Sequence, residues 1–476
     1  MRKFLIVLLS VGLLVAFSIS AFAVGGADVK VSGQYLINGM YASNPSLKKT
    51  TDKGSYGVYD QRLRMQLDFK VAEGLMLVTR FDALEKVWGA INGTESYDSS
   101  GRKYDAIAGE QENIEFERAY VDFTTGIGRF MVGYQQFTYW GTAVADGNNT
   151  KPGIKYIVAS GPSILVLALE RDQEGQVRSG VKTFDYLDSD KDIYDLGYIY
   201  KWNGGEAGIM YQFVQGNFNR PASSTPAGSF KTTLHVFDPY VKQTMGPLYV
   251  EAEMIYLTGK VVEFENPLKA LGAKDIDASD FGFYIKANYD LKPAYVGASF
   301  LYVQGDDYGS ATKQNGGWIR KMNAGTNVFE PCLIFGSYWY NHAVGGQTGF
   351  ATTTTSATGM GYNNYTYFFD NLWMVQGYVG TKPTPKLDVM LSYTWLKADQ
   401  KPRAIKGSAV GAGNLEFVSD SLGTELDFKA TYKIFDNLSY MIGAAYFWTG
   451  DYFKGTSAAN QVDDNYLLMH SLNLTF

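Results

Sequence analysis

Over long stretches of this chain, apolar and polar residues alternate with a period of two. In residues 59–71, Leu63, Met65, Leu67, Phe69 and Val71 interleave with Arg62, Arg64, Gln66, Asp68 and Lys70. In residues 424–434, Leu426, Phe428, Ala430, Tyr432 and Ile434 interleave with Glu425, Asp427, Lys429, Thr431 and Lys433. Successive strand side chains point to opposite faces, so each stretch has one apolar face and one charged face. A half-buried sheet of a soluble protein alternates in the same way. Length separates the two cases: these stretches run ten or more residues, against about five or six for a strand in a globular protein.

The stretches come in pairs joined by tight turns. The turns read Ala72-Glu73-Gly74, Gly126-Ile127-Gly128, Gly161-Pro162, Asn203-Gly204-Gly205, Met245-Gly246-Pro247, Leu291-Lys292-Pro293, residues 382–386, and Phe435-Asp436-Asn437. All have turn chemistry, from Gly or Pro or, in the last, Asp-Asn. Long connections such as residues 89–111, 172–191, 262–277 and 398–419 separate the pairs. Short turns on one rim and long loops on the other describe a transmembrane antiparallel up-and-down β-barrel, an all-β fold. Eight turns and nine long connections predict eighteen strands, with both termini on the turn side. The range is sixteen to twenty, because residues 305–364 are long and residues 327–340 could hold a hairpin. Aromatic residues at strand ends would form interfacial girdles. Phe69, Phe123, Phe130, Trp202, Tyr240, Tyr289, Tyr295 and Tyr432 are expected on the turn side; Tyr41, Trp88, Trp140, Tyr302, Trp395 and Trp448 on the loop side.

The N-terminus agrees. Arg2 and Lys3 precede an apolar stretch, residues 4–17, and the small-residue site Ala21-Phe22-Ala23. That order reads as a secretory signal peptide over residues 1–23, cut before Val24. A membrane anchor fits less well, since the apolar core is short for a spanning helix. Residues 24–476 then form one barrel domain, with no linker or shift in composition to divide them. The longest later apolar run, residues 164–169, is far too short to cross as a helix. One cysteine, Cys332, allows no internal disulfide framework. The formal net charge of −6 becomes −8 without Arg2 and Lys3, which argues against a nucleic-acid partner.

The last segment, residues 466–476, alternates Leu468, His470, Leu472, Leu474 and Phe476 and ends on the aromatic. It resembles the closing strand by which Gram-negative barrels are recognised for outer-membrane insertion, with Phe476 as the assembly signal. Asp60-Gln61-Arg62-Leu63-Arg64, Glu117-Arg118-Ala119-Tyr120-Val121, and Gly423-Thr424-Glu425-Leu426-Asp427 with Gly450-Asp451-Tyr452-Phe453 are similar to porins, and more specifically to alginate-export barrels. That resemblance implies an eighteen-stranded pore with an arginine-rich lumen. It implies as partners outer-membrane lipid and lipopolysaccharide, the barrel-assembly machinery and small polar solutes. It does not make alginate the substrate.

A charge facing lipid at mid-membrane costs about 2–4 kcal/mol, so the polar sets should face the lumen. The expected pore-lining residues are Arg62, Arg64 and Asp68, then Arg80 and Asp82, then Arg118 and Asp122, with Glu251 and Glu253 about halfway round and Glu425, Asp427 and Lys429 further on. Counting from their turns, Arg64, Arg80 and Arg118 sit roughly 13–18 Å above the rim, a positive arc. These charges either select solutes or only support the wall; Arg64 falls opposite Asp82, a cross-strand pair that would serve the second role. An enzyme would need a nucleophile or activated water with a base. Of the three histidines, His342 is in a long loop, His235 in a poorly alternating strand, and His470 on the apolar face of the closing strand. No catalytic residue, metal cluster or cofactor site is expected. The Asp-rich residues 185–192 and 275–280 could hold Ca²⁺, though solvated loop charge is the commoner case. A plugged, energy-coupled transporter is disfavoured, because strand-like alternation begins at Val29. The function that fits is passive diffusion of small polar solutes through the outer membrane, with a polysaccharide exporter or a scaffold for a periplasmic partner as the alternative.

Overall fold

Eighteen antiparallel strands close into one barrel in the computed structural model. The structure describes residues 28–49, 54–88, 96–97, 103–104, 114–137, 139–146, 150–174, 190–217, 230–264, 268–269, 271–316, 329–337, 340, 369–403 and 415–476. Residues 1–23, expected from the sequence to be a signal peptide, His342 and most of residues 89–111 lie outside these. The strands are β1 (Asp28–Ser43), β2 (Ser55–Ala72), β3 (Leu75–Val87), β4 (Glu115–Thr125), β5 (Gly128–Gln136), β6 (Thr150–Ser160), β7 (Ser163–Gln173), β8 (Lys191–Trp202) and β9 (Gly205–Gly216). They continue with β10 (Phe230–Met245), β11 (Leu248–Phe264), β12 (Ile276–Asp290), β13 (Ala294–Val303), β14 (Leu372–Thr384), β15 (Leu387–Lys397), β16 (Ser421–Phe435), β17 (Leu438–Thr449) and β18 (Asn465–Thr475).

Each strand pairs with its neighbours in sequence, and all eight expected tight turns join the predicted pairs. At the first, Gly74 has φ +73°, a conformation that L side chains resist, and its carbonyl accepts the Thr124 N–H at 2.9 Å. Residues 329–337 form no strand, so the hairpin allowed for residues 327–340 is not found among the described residues. The circle closes where β1 meets β18, from Gln34↔Thr475 to Ser43↔Tyr466. Phe476 completes the seam: its N–H donates to the Gly33 carbonyl at 3.1 Å, and its carbonyl accepts the Gly33 N–H at 2.8 Å. A barrel without an edge leaves no backbone group unpaired in lipid. Deleting Phe476 should therefore reduce the outer-membrane pool and leave chain in the periplasm. Fractionation checks this, and normal outer-membrane levels would sink it.

The alternation maps onto two faces. Val375, Leu391, Tyr393, Trp395 and Leu468 are exposed on the outside, as a lipid-facing band requires. The inside is not uniform. In its loop half, lumen-facing Leu257, Leu301, Leu372, Met374 and Phe447 are fully buried against Ile334, Phe335 and Tyr340 of the long β13–β14 connection. A compact apolar core thus sits within the barrel, above a charged belt.

Candidate functional site: an infolded pore

Among the described residues, two connections dock on charged side chains of the lumen wall. The first is the β5–β6 connection, described at Phe137 and residues 139–146. Trp140 is 8% exposed and donates its indole N–H to the Asp238 carbonyl on β10 at 3.0 Å. Its ring stands edge-on to Tyr240, centroids 5.4 Å apart. It fills a recess left by Gly197 on β8 and Gly208 on β9, where an added Cβ would come within 2.9 and 3.1 Å of the indole. Next to it, the Thr142 N–H and hydroxyl both donate to Glu253 Oε2 on β11, at 3.1 and 2.5 Å. Gly141 between them has φ +63°, and a Cβ there would lie 1.6 Å from Glu253 Oε1, so only glycine fits.

The second is the segment 331–337. Glu425 on β16 accepts the backbone N–H groups of Ile334 and Phe335 at 2.7 and 2.8 Å. Asp427 accepts that of Leu333 at 3.3 Å and the Ser392 hydroxyl at 3.3 Å. Cys332 Sγ reaches Thr394 Oγ1 at 3.4 Å, and Gln376 donates to the Pro331 carbonyl at 2.6 Å. Cys332 lies within 4.8 Å of the Glu425 and Asp427 carboxylates, but those oxygens are already occupied by loop backbone.

The structure brings Arg62, Arg64, Arg80, Asp82 and Arg118 together on β2–β4 as one network. Arg64 grips Asp82 with two hydrogen bonds of 2.7 Å and also reaches Glu117 at 2.9 Å. Arg80 pairs with Glu117 at 2.5 Å, Arg62 lies 4.0 Å from Asp82, and Arg118 donates to Gln136. Asp122 pairs with Arg129, and Asp68 accepts from Gln66 at 3.0 Å. Glu117 was missed by period-two counting, which places it on the lipid face. Arg80 pairs with Arg118 but Phe81 with Phe116, so Glu117 is the extra residue of a β-bulge and turns inward. The positive arc is thus threaded by two carboxylates.

On the opposite arc, Glu251 accepts hydroxyls from Tyr249 and Tyr284 at 2.8 and 3.1 Å. It borders a cavity of about 1070 Å³ on the turn side of the infolded segments, with Lys286, Tyr378 and Lys429 also on its wall. Glu253, Glu425 and Asp427 point inward as their parity requires, but are covered by the infolded segments and at most 2% exposed. Three aromatic assignments need correction. Trp140 belongs to the docked connection and Tyr240 to its seat in the lumen, while Tyr295 faces the inner cavity, so none of the three is in a girdle. His470 lies on the outer face, 3.2 Å from the Tyr59 hydroxyl. In the Asp-rich stretch, Asp275 and Asp277 are taken by Lys260 and Lys269.

A closed, antiparallel, eighteen-stranded barrel with a charged lumen and infolded connections is an outer-membrane barrel of the porin type. The chain belongs to the alginate export family, whose model matches residues 188–466. No curated protein matches it. Among solved structures, it is similar to OccAB2 of Acinetobacter baumannii, 11% identical over 94% of this chain and 98% of that one, with a TM-score of 0.52. It is also similar to OccK9 (OpdG) of Pseudomonas aeruginosa, 12% identical over 94% and 99%, TM-score 0.48. The outer membrane protein OprD of the same organism is 10% identical over 95% of each chain, TM-score 0.47.

Proposed function

We propose that this chain is a passive outer-membrane channel for small polar or charged solutes, narrowed by the docked residues 139–146. That docked connection carries the reading: its tryptophan and backbone are locked on β8–β11 rather than left in solvent. Below it, solutes pass between the wall of Arg62, Arg64, Asp68, Arg80, Asp82, Arg118 and Asp122 and the wall carrying Glu251 and Lys429. A narrow passage between low-dielectric walls concentrates their field and orients a solute as it passes. A polymer would need both infolded segments moved aside, so we favour small solutes over a dedicated polysaccharide exporter or a scaffold for a periplasmic partner. The reading assigns the chain no catalytic step and no cofactor. It has residues 1–23 direct export, Phe476 engage the barrel-assembly machinery, and the apolar band face lipid and lipopolysaccharide.

Purified protein in liposomes should admit small sugars and organic acids and exclude long oligosaccharides; sealed liposomes would overturn the channel. In planar bilayers, Arg118→Gln should shift the reversal potential toward cations and Glu251→Gln toward anions. Both shifts should fade at high salt, as the Debye length shrinks from about 10 Å at 0.1 M. If neither appears at low salt, the charges only support the wall.

A further inference from the structure

The seat of the docked connection contains two acids where one would suffice to hold it. Glu253 and Asp238 sit diagonally across β11 and β10, 2% and 0% exposed, as two neighbouring inward-facing carboxyl groups. Among the described residues, no lysine or arginine lies within 4 Å of either; both Asp238 oxygens and Glu253 Oε1 are buried without an N–H or hydroxyl donor. Two adjacent carboxylates shut away from water repel each other and lose their hydration, so such a pair persists by keeping one proton between them. A metal ion is a poorer fit, because Gly141 packs directly on Glu253 Oε1 and fills that side.

We propose that the Asp238–Glu253 pair is a proton-operated latch: while it holds its proton the β5–β6 connection stays docked, and losing it releases the connection and widens the pore. This rests on that connection being the constriction. The mechanism is local. With both acids charged, repulsion drives the Glu253 carboxylate from its position under Thr142, and both Thr142 hydrogen bonds go with it. The indole hydrogen bond ends on the Asp238 carbonyl, so a shift of that residue also disturbs the Trp140 seat.

The charged and titratable groups around the pair are Asp195 on β8, Glu206 on β9, Tyr240 and Lys242 on β10, Glu251 on β11, Asp280, Tyr284 and Lys286 on β12, and Asp146 of the connection itself. Lys242 is engaged with Glu206 at 3.9 Å, and Glu251 with Tyr284. Asp146 works in the same direction as the latch. Burial pushes its carboxyl up to about 7, against the pull of Lys242 and Arg118. A group that holds its proton more tightly when docked favours docking at acid pH and gives up that contribution as the pH rises through about 7.

Single-channel conductance of the full-length protein, measured from about pH 5 to about pH 9, tests the latch. The wild type should step from a narrow to a wide state as the pH rises. Asp238→Asn and Glu253→Gln place an amide where the shared proton was, so each should lose the step and stay narrow at alkaline pH. Asp146→Asn should shift the step but keep it. Gly208→Leu, which fills the Trp140 recess without touching the acids, should be wide at every pH. If Gly208→Leu folds and conducts like the wild type, the constriction reading itself fails. If it is wide but the wild type shows no step, the latch alone fails. The latch also fails if either amide variant keeps the step, or if only Asp146→Asn abolishes it. Should one amide variant not reach the membrane, the other decides.

Discussion

Trp140→Ala should convert a narrow channel into a wide one under conditions where the wild type is docked. Truncating a buried tryptophan costs about 3–5 kcal/mol, and here the cost falls on docking rather than on the barrel, whose strands pair independently of the connection. At about 1.4 kcal/mol per factor of ten, docking weakens on the order of 100-fold or more. Thr142 on Glu253 and the buried Phe137, Val144 and Ala145 would be left to hold the connection. Conductance and the size cut-off for sugars should both rise while the electrophoretic behaviour of the folded barrel stays that of the wild type. Unchanged conductance with intact folding would show that the narrowest point lies elsewhere.

Glu425→Ala should free the second infolded segment, and the chain carries its own reporter. Glu425 is fully buried and accepts two backbone N–H groups of the segment. Each donor left unsatisfied costs about 1–3 kcal/mol, so the pair is worth roughly 2–6 kcal/mol of docking. Cys332, the one thiol of the chain, is 3% exposed in the docked state. Burial, with Glu425 and Asp427 adding to it, pushes that thiol well above its usual range. It is therefore both inaccessible and protonated. Maleimide labelling of folded wild type should be slow, and Glu425→Ala should speed it by about 30-fold or more, given the docking loss. Glu425→Gln, which keeps one acceptor oxygen, should fall between. Equal labelling rates in all three would show that Glu425 does not hold the segment.

Much of the barrel is legible in the sequence. Period-two alternation has one outcome per position, inward or outward, so runs of it in Arg62–Asp68 and Glu425–Lys429 assign each side chain a face. The turns were equally legible, because reversing a strand within two or three residues demands Gly, Pro, Asn or Asp. Paired with the long connections, they pointed to eighteen strands within a range of sixteen to twenty, and to the order of neighbours, since an up-and-down barrel has no other order. Even the Arg64–Asp82 pair followed from counting residues away from Gly74.

The tertiary structure decided what occupies the space inside. Parity says that Glu253, Glu425 and Asp427 point inward, but not whether water or protein meets them there. That depends on where distant connections come down, through contacts separated by 111 residues for Thr142 and Glu253 and by 91 for Ile334 and Glu425. A connection has no period, so nothing local distinguishes one that docks in the lumen from one that waves above it. Trp140 had the composition of a girdle residue and took its place instead in a recess made by Gly197 and Gly208, two small residues on other strands. Glu117 shows the same limit within a strand: one extra residue in the ladder reverses a side chain's face, and the bulge exists only in the pairing of β3 with β4. The local period therefore determined the wall, and long-range packing alone determined the pore.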